Sequence, residues 1–396
     1  MDIKSIIKDK AATYKTEVIA IRRHLHQYPE LSFNEFETAN FVEQKLKEFG
    51  ITKISRLVKT GVVALIEGKN PSAKVIALRA DLDALRIQET NEVGYKSKND
   101  GVMHACGHDV HTSSLLGVAK VLQELRTEFE GTIKLIFQPG EEKLPGGASL
   151  MIAEGVFENP NPESIIGQHV FPELEAGKVG FKSGMYMAST DEIYVTVKGK
   201  GGHAALPHLV IDPVLITSHI IVALQQVVSR LNKPTTPSVL SFGKVSANGA
   251  TNIIPDKVLL EGTFRTMDED WRAKAHTKMK KMAETIAESM GGECEFNIVK
   301  GYPFLVNNED LTNKLKQAAI DFLGKDNVVD LELRMTAEDF AYYSQVKPAC
   351  FYRLGIRNEK KQINAGLHTS KFNIDEDAIE TSIGLMTWLA ICEMQS

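Results

Sequence analysis

Short apolar runs that end in acids or histidine constrain this chain more than any other feature. Val62–Ile66 and Val75–Leu78 have the length and composition of buried strands. The second leads into Arg79-Ala80-Asp81-Leu82-Asp83, two carboxylates at alternate positions just past a strand end. Thr132–Phe137 reads as a third strand; Pro139 and Gly140 stop it, and Glu141-Glu142 follow at once. Ser164–Gly167 is a fourth and delivers Gln168-His169-Val170 at its end. In an open α/β sheet, ligand groups collect at the carboxyl ends of strands. Three strand ends with one class of residue therefore predict one shared site.

Between the second and third strands lies Val102-Met103-His104-Ala105-Cys106-Gly107-His108-Asp109-Val110-His111. Gly107 lets the chain bend so that Cys106 and His108 can face one ion, and thiolate with imidazole is a donor set that suits zinc. Leu115, Leu116, Val118, Ala119, Leu122 and Leu125 then recur at helical spacing, so the donors sit in a loop that opens a helix. Cys106 with His108 reads as a metal-binding pair, whereas His104 or His111 alone reads as a cap or packing residue. The adjacent Glu141 and Glu142 point apart. One can bind a metal while the other accepts a proton from water, the division of labour that metal-assisted hydrolysis needs.

At 396 residues the chain is long for one core, and two domains are expected. Residues 1–49 read as two helices broken at Tyr28-Pro29. From Glu192 the rhythm changes. Strand Ile193–Val197, helix Pro213–Leu231, strands Ser238–Val245 and Lys257–Arg265 around an Asn-Gly turn, helix Trp271–Met290 and strand Glu293–Val299 give the order βαββαβ. That is the split ferredoxin-like unit, inserted as residues 188–299 between two parts of a first domain, 1–187 and 300–396. In the second part, helix 310–323, a strand near Val328, strand 349–354 and helix 375–393 flank another loop histidine, His368.

Hydrophobic residues make up 43% and charged residues 24%, as in ordinary globular proteins, and the net charge of −5 gives no reason to expect nucleic acid or an anionic membrane as partner. No apolar run is read as approaching bilayer length, and MDIKSIIKDK lacks a signal-peptide core. Cys106, Cys294, Cys350 and Cys392 are far apart, which suits a reducing compartment. A cytoplasmic protein is expected.

RRHLHQYPELSF, RADLDAL, HACGHDVH, the QP-x-EE block, GQHV, GGHAALPH, TAEDFA and LHTSKF occur in this order along essentially the whole chain. Together they resemble the metal-dependent aminoacylase and carboxypeptidase family. Within it, the chain looks like the branch of hippurate hydrolases, indole-acetyl-amino-acid hydrolases and bacterial N-acyl-amino-acid amidohydrolases. The resemblance implies an α/β metallopeptidase-type catalytic domain, a mixed sheet between helices, carrying the α+β satellite through which relatives dimerise. It implies that Cys106, His108, Glu142, His169 and His368 hold one or two divalent metals and that Glu141 is the general base. Asp83 would orient a ligand near the metals. His203 would polarise the scissile carbonyl, often from a partner subunit, and Asn252 and Arg265 would hold the substrate carboxylate.

The thiolate favours Zn2+, with Mn2+, Co2+ or Ni2+ as alternatives. Relatives outside this branch have His-x-Asp at Asp81-Leu82-Asp83 and aspartate at Cys106, so metal number and identity stay open. Gly140 replaces a commoner alanine, and Arg86 a usual proline. His24 and His26 read as packing or surface residues, and Glu338 and Asp339 as structural acids at a helix start. Gly199-Lys200-Gly201-Gly202 lacks the Lys-Ser/Thr of a phosphate loop. The expected activity is hydrolysis of N-acyl-L-amino acids, with a dipeptidase or carboxypeptidase of the same mechanism as the alternative. A metal-loaded binding protein would not need Glu141 or His203. A purely structural zinc site would draw on closely spaced ligands, not on residues 106 to 368.

Overall fold

The computed structural model describes residues 2–395. Two helices open the chain, α1 (Ile3–Gln27) and α2 (Phe36–Glu48), followed by β1 (Ile54–Leu57), β2 (Gly61–Glu67), β3 (Val75–Asp81), α3 (His108–Glu124), β4 (Thr132–Gln138), α4 (Gly147–Ala153), β5 (Ser164–Glu175), β6 (Val179–Phe181) and β7 (Gly184–Met187). Next come β8 (Asp191–Lys198), β9 (Gly202–His203), α5 (Pro213–Gln226), β10 (Ser238–Ala247), β11 (Ile253–Ile254), β12 (Lys257–Thr266), α6 (Glu269–Ser289) and β13 (Glu293–Lys300). The chain closes with β14 (Leu305–Asn307), α7 (Glu309–Leu323), β15 (Val328–Asp330), α8 (Ala341–Ser344), β16 (Ala349–Arg357) and α9 (Ala378–Met394).

Two compact units result. The first holds the chain up to Tyr186, Val306–Leu333 and the residues from Asp339 onward; the second holds Met187–Leu305 and Arg334–Glu338. Each has its own apolar cluster.

The first unit is built on an eight-stranded mixed sheet in the order β1-β2-β4-β3-β5-β16-β6-β15. Its central strands β3, β4, β5 and β16 run parallel to their neighbours, with β2 and β6 joining antiparallel at either side. Every residue of β3 and β4 is buried, as expected of parallel strands covered on both faces. The helices α1, α3 and α9 pack on one another, and α3 and α9 also lie against β3. In α1, Ile7, Ala11, Val18, Ile21 and Leu25 turn inward at helical spacing. That helix stops at Gln27 because Pro29 disfavours helical backbone at Tyr28.

β3 runs on to Asp81, so that carboxylate closes the strand and does not follow it, and a second strand departs further from its sequence reading. Ser164–Gly167 extends to Glu175, so His169 lies within β5 and not past its end. Pairing with β16 carries the strand on, while β3 pairs no further than Arg79 with Gly167. His169 is thus at a strand end only relative to β3, on the side where Asp81 and Asp83 emerge.

The second unit has a four-stranded antiparallel sheet, β10-β12-β8-β13, against which α5 and α6 pack. The Asn-Gly turn expected between β10 and β12 is instead a loop, 248–256. It contains β11, which pairs with β9 through Ile253 opposite His203. The expectation that no apolar run approaches bilayer length is also corrected. Pro213–Leu231 is long and apolar enough to cross a membrane by length and composition, with a mean hydropathy of 1.5. Thr217, Ser218 and His219 interrupt the run, and the Ile, Val and Leu residues on either side outweigh them. One face of this helix places Ile216, Ile220 and Leu224 in the core, while Val214, Leu215 and Val222 stay exposed.

Candidate metal centre

Three loops of the first unit and strand β5 deliver the candidate ligands. Gly107 opens α3 with φ +84°, a left-handed backbone, and a side chain there would press into Val170 Cγ2. This tight turn sets Cys106 and His108 on either side of one point. From β5, His169 Nε2 lies 3.4 Å from Cys106 Sγ, and from the last loop His368 Nε2 also lies 3.4 Å from it. Glu142 Oε1 is 3.2 Å from His368 Nε2. Cys106, His108 and His169 can therefore ligate one ion, Cys106, Glu142 and His368 another, with the thiol shared. All five ligand candidates lie in these two overlapping groups.

The surrounding shell fixes each donor atom. Asp83 Oδ1 is 3.1 Å from His108 Nδ1, which leaves Nε2 as the ligand nitrogen. The other oxygen of Asp83 accepts from Glu142 N at 3.0 Å and from Ser32 Oγ at 2.6 Å, so one carboxylate aligns an imidazole and the turn that carries a second ligand. His169 Nδ1 donates to Val170 O at 2.7 Å, again freeing Nε2. The turn before Glu141 needs glycine: Gly140 has φ +59°, and a side chain there would strike the Phe33 ring. Glu141 is buried, lies close to His108 and Glu142, and accepts from Asp339 N at 3.4 Å.

A metal fits these residues. His108 Nε2 is buried with no hydrogen-bond partner among the described residues. Leaving such an atom unpaired costs about 1–3 kcal/mol, more for charged groups, which a bound cation would recover. Burial and the nearby Glu142, Glu141 and Asp81 push the Cys106 thiol well up in the protein alone. Burial alone would pull His108 down, but Asp81, Asp83 and Glu142 outweigh it and raise the group to about 10. Burial, with Arg353 nearby, holds His169 well below its usual range. Burial opposes ionisation of Asp83 too, yet His108, Ser32 and the Glu142 amide bring its pKa down.

Asp81 and His111 lie next to this cluster and form a further group of close donor atoms with His108. His111 Nδ1 is 2.6 Å from Asp81 Oδ1, and its Nε2 accepts from Val170 N at 2.9 Å, so both nitrogens are taken. Asp81 is also paired with Arg79. This packing role is the one expected for His111.

The three residues expected at the substrate belong to the second unit. His203 is exposed, with its Nδ1 accepting from Ala205 N at 3.1 Å. Asn252 is beside it, through Ala204 N donating to Asn252 O at 3.1 Å. Arg265 is half-buried on β12 and donates to Met335 O at 3.2 Å; burial lowers its pKa. The structure brings His203 and Asn252 together and puts the five ligand candidates, Glu141 and Asp83 in the other unit.

Several buried polar groups were not legible beforehand. Arg79, on a fully buried strand, reaches Asp81, Gln138 Oε1 and Asp339 Oδ1, and Asp339 also accepts from Gln138 and the Ala148 amide. A charged residue inside an apolar run was the available signal. Glu35 accepts from Phe33 N, Gly140 N and Thr60 Oγ1 under the turn of Glu141, and burial, with Asp83 nearby, raises it to about 7. No local pattern marked Glu35. His26, read as a surface or packing residue, is fully buried between Asp109 and Glu89.

Such a centre, at the carboxyl ends of parallel strands with a carboxylate beside the ligands, defines a metal-dependent hydrolase acting on amides. The profile of Peptidase family M20/M25/M40 matches residues 77–390, and the chain belongs to that family. It is 44% identical to an N-acyl-L-amino acid amidohydrolase of Geobacillus stearothermophilus, over 78% of this chain and 82% of that one. It is 41% identical to an N-acetyl-L-cysteine deacetylase of Bacillus subtilis, over 93% and 86%. Among solved structures, the Bacillus subtilis YXEP protein, a dinuclear metal-binding peptidase of the M20 family, superimposes with a TM-score of 0.83 at 35% identity, covering 97% of this chain and 99% of that one.

Proposed function

We propose that this chain cleaves the amide bond of N-acyl-L-amino acids, releasing a carboxylic acid and a free amino acid. The observation that carries the reading is how differently two adjacent acids are engaged. Glu142 turns its oxygen to His368, while Glu141 stays buried beside His108 without being needed in either Cys106-sharing ligand group. One acid is thereby a ligand and the other a base.

Cys106, His108, Glu142, His169 and His368 would hold one or two divalent ions, with Zn2+ favoured by the thiolate and Mn2+, Co2+ or Ni2+ as the other candidates. When bound, such an ion lowers the pKa of a water to about 7 and polarises a carbonyl oxygen. Glu141 takes a proton from the attacking water as its oxygen bonds to the acyl carbon. The carbon–nitrogen bond then breaks, and Glu141 returns the proton to the departing amine nitrogen. Asp83 holds the His108 ring and the Glu142 turn in register for this exchange. His203 would polarise the scissile carbonyl, and Asn252 with Arg265 would grip the substrate carboxylate. The half-buried guanidinium of Arg265, poorly hydrated, suits a charge-assisted pair with such an anion.

The order of elements and of strands in the second unit supports reading it as a ferredoxin-like satellite, and we read it as the dimerisation domain. The apolar exposed face of α5 and the open edge of β10 support a homodimer. The four unpaired cysteines support a cytoplasmic location.

Glu141→Gln tests the mechanism: nearly all turnover is expected to vanish with metal still bound. Retained turnover would refute the assignment. Amino-acid release from N-acetyl, N-benzoyl, long-chain N-acyl and dipeptide substrates, with and without a chelator, tests the substrate class. Chelator-sensitive release from N-acyl substrates supports it, and release from dipeptides alone favours the peptidase alternative.

A further inference from the structure

Two of the ligand loops, 260 residues apart, are tied by a buried network that uses no ligand atom. Asp109 immediately follows His108 and is fully buried. Its Oδ2 accepts from Arg22 Nε at 2.7 Å and lies 2.8 Å from His26 Nδ1, both side chains on the last turns of α1 and both without exposure. The other nitrogen of His26 is 3.2 Å from Glu89 Oε1. Glu89 in turn accepts from Ser97 N at 2.7 Å and from Asn91 Nδ2 at 3.0 Å. Asn91 Nδ2 also donates to Phe372 O at 2.9 Å, in the loop that carries His368. Arg22 reaches the same loop at Asn373.

That loop needs holding. His368 has φ +58°, a left-handed backbone that a histidine rarely adopts and keeps only where its surroundings impose it. Its amide donates to Ala105 O at 2.8 Å, and Thr90 N donates to Ser370 O at 2.9 Å. The segment 89–91 thus grips the His368 loop on one side and, through His26, the start of α3 on the other.

We infer that Arg22, His26, Glu89 and Asn91 are positioning residues of the metal centre, setting the His368 loop against the His108 end of α3. The inference rests on the reading of Cys106, His108, Glu142, His169 and His368 as ligands. Arg22 and His26 hold the Asp109 side chain next to His108, and Glu89 with Asn91 links them to the His368 loop, so their loss shows in metal affinity. Partners bonded directly to ligands are commonly worth 10–100-fold there, and a network one bond further out should reach the low end of that range.

The test measures Zn2+ affinity by competition with a chromogenic chelator, in the wild type, Asn91→Ala, His26→Leu, His368→Ala and each double variant with His368→Ala. Asn91→Ala is expected to weaken Zn2+ binding by about 10-fold or more, with near-UV circular dichroism and the metal-free melting temperature unchanged. In the His368→Ala background the same substitution should have little further effect, because the loop it aims no longer carries a ligand. Equal losses in both backgrounds, or no loss in the first, would overturn the inference. His26→Leu probes the buried half of the network in the same way; should it fail to fold, the half-buried Asn91 carries the test alone. A wild type that binds no Zn2+ would defeat the metal reading and this inference with it.

Discussion

Gly107→Ala perturbs the centre without touching a ligand atom. At φ +84° an L-residue costs about 1–2 kcal/mol relative to glycine. The new methyl would also press into Val170, which is fully buried and cannot swing away, and overpacking of this kind costs about 1–3 kcal/mol. The sum is about 2–5 kcal/mol of stability in the first unit. Affinity for metal should fall as well, because Val170 O fixes the His169 ring and Val170 N fixes His111. Thermal unfolding of the metal-free protein, paired with Zn2+ competition, measures both effects. Gly107→Ala/Val170→Ala removes the clash and keeps the backbone strain. The double-variant cycle should therefore show relief of about 1–3 kcal/mol beyond the sum of the single effects. A single variant within about 0.5 kcal/mol of wild type, or strictly additive changes, would refute the argument.

Proton release on metal binding follows from the charges around the ligands. Cys106 is held as a thiol and His108, near 10, as an imidazolium, and each must lose its proton to bind a cation, whereas His169 is already neutral. Binding near neutral pH should release on the order of two protons, and affinity should rise with pH. Calorimetry in buffers of different ionisation enthalpy would count them, and an affinity that stays flat with pH would contradict the assignment. On α5, Val222 is 74% exposed in an apolar face; Val222→Glu should turn a dimer into a monomer by sedimentation, and an undisturbed dimer would move the interface elsewhere.

Periodicity made the strands and helices legible because each depends on which local faces are apolar. The ends of β3 and β4 were readable for the same reason, and with them Asp81, Asp83, Glu141 and Glu142. His169 was found while its strand was cut short, since β5 continues only through pairing with β16, a partner distant in sequence. The loop 248–256 escaped notice likewise, because Asn-Gly signals a tight turn locally and the pairing of β11 with β9 is not local. His26 reads as a packing or surface residue, and nothing local marks Arg22. Only Asp109 and Glu89, brought in from elsewhere, make them buried.

The sequence by itself determined the donor types, the main strands and helices and the tight bend at Gly107, since these depend on chemistry and backbone freedom within a few residues. Tertiary structure alone decided which donors meet at Cys106 and which nitrogen each histidine presents. It also decided which acid faces His368 and how the His368 loop is held. Those outcomes depend on distances between segments far apart in the chain, and such distances are set by how the sheet and helices pack.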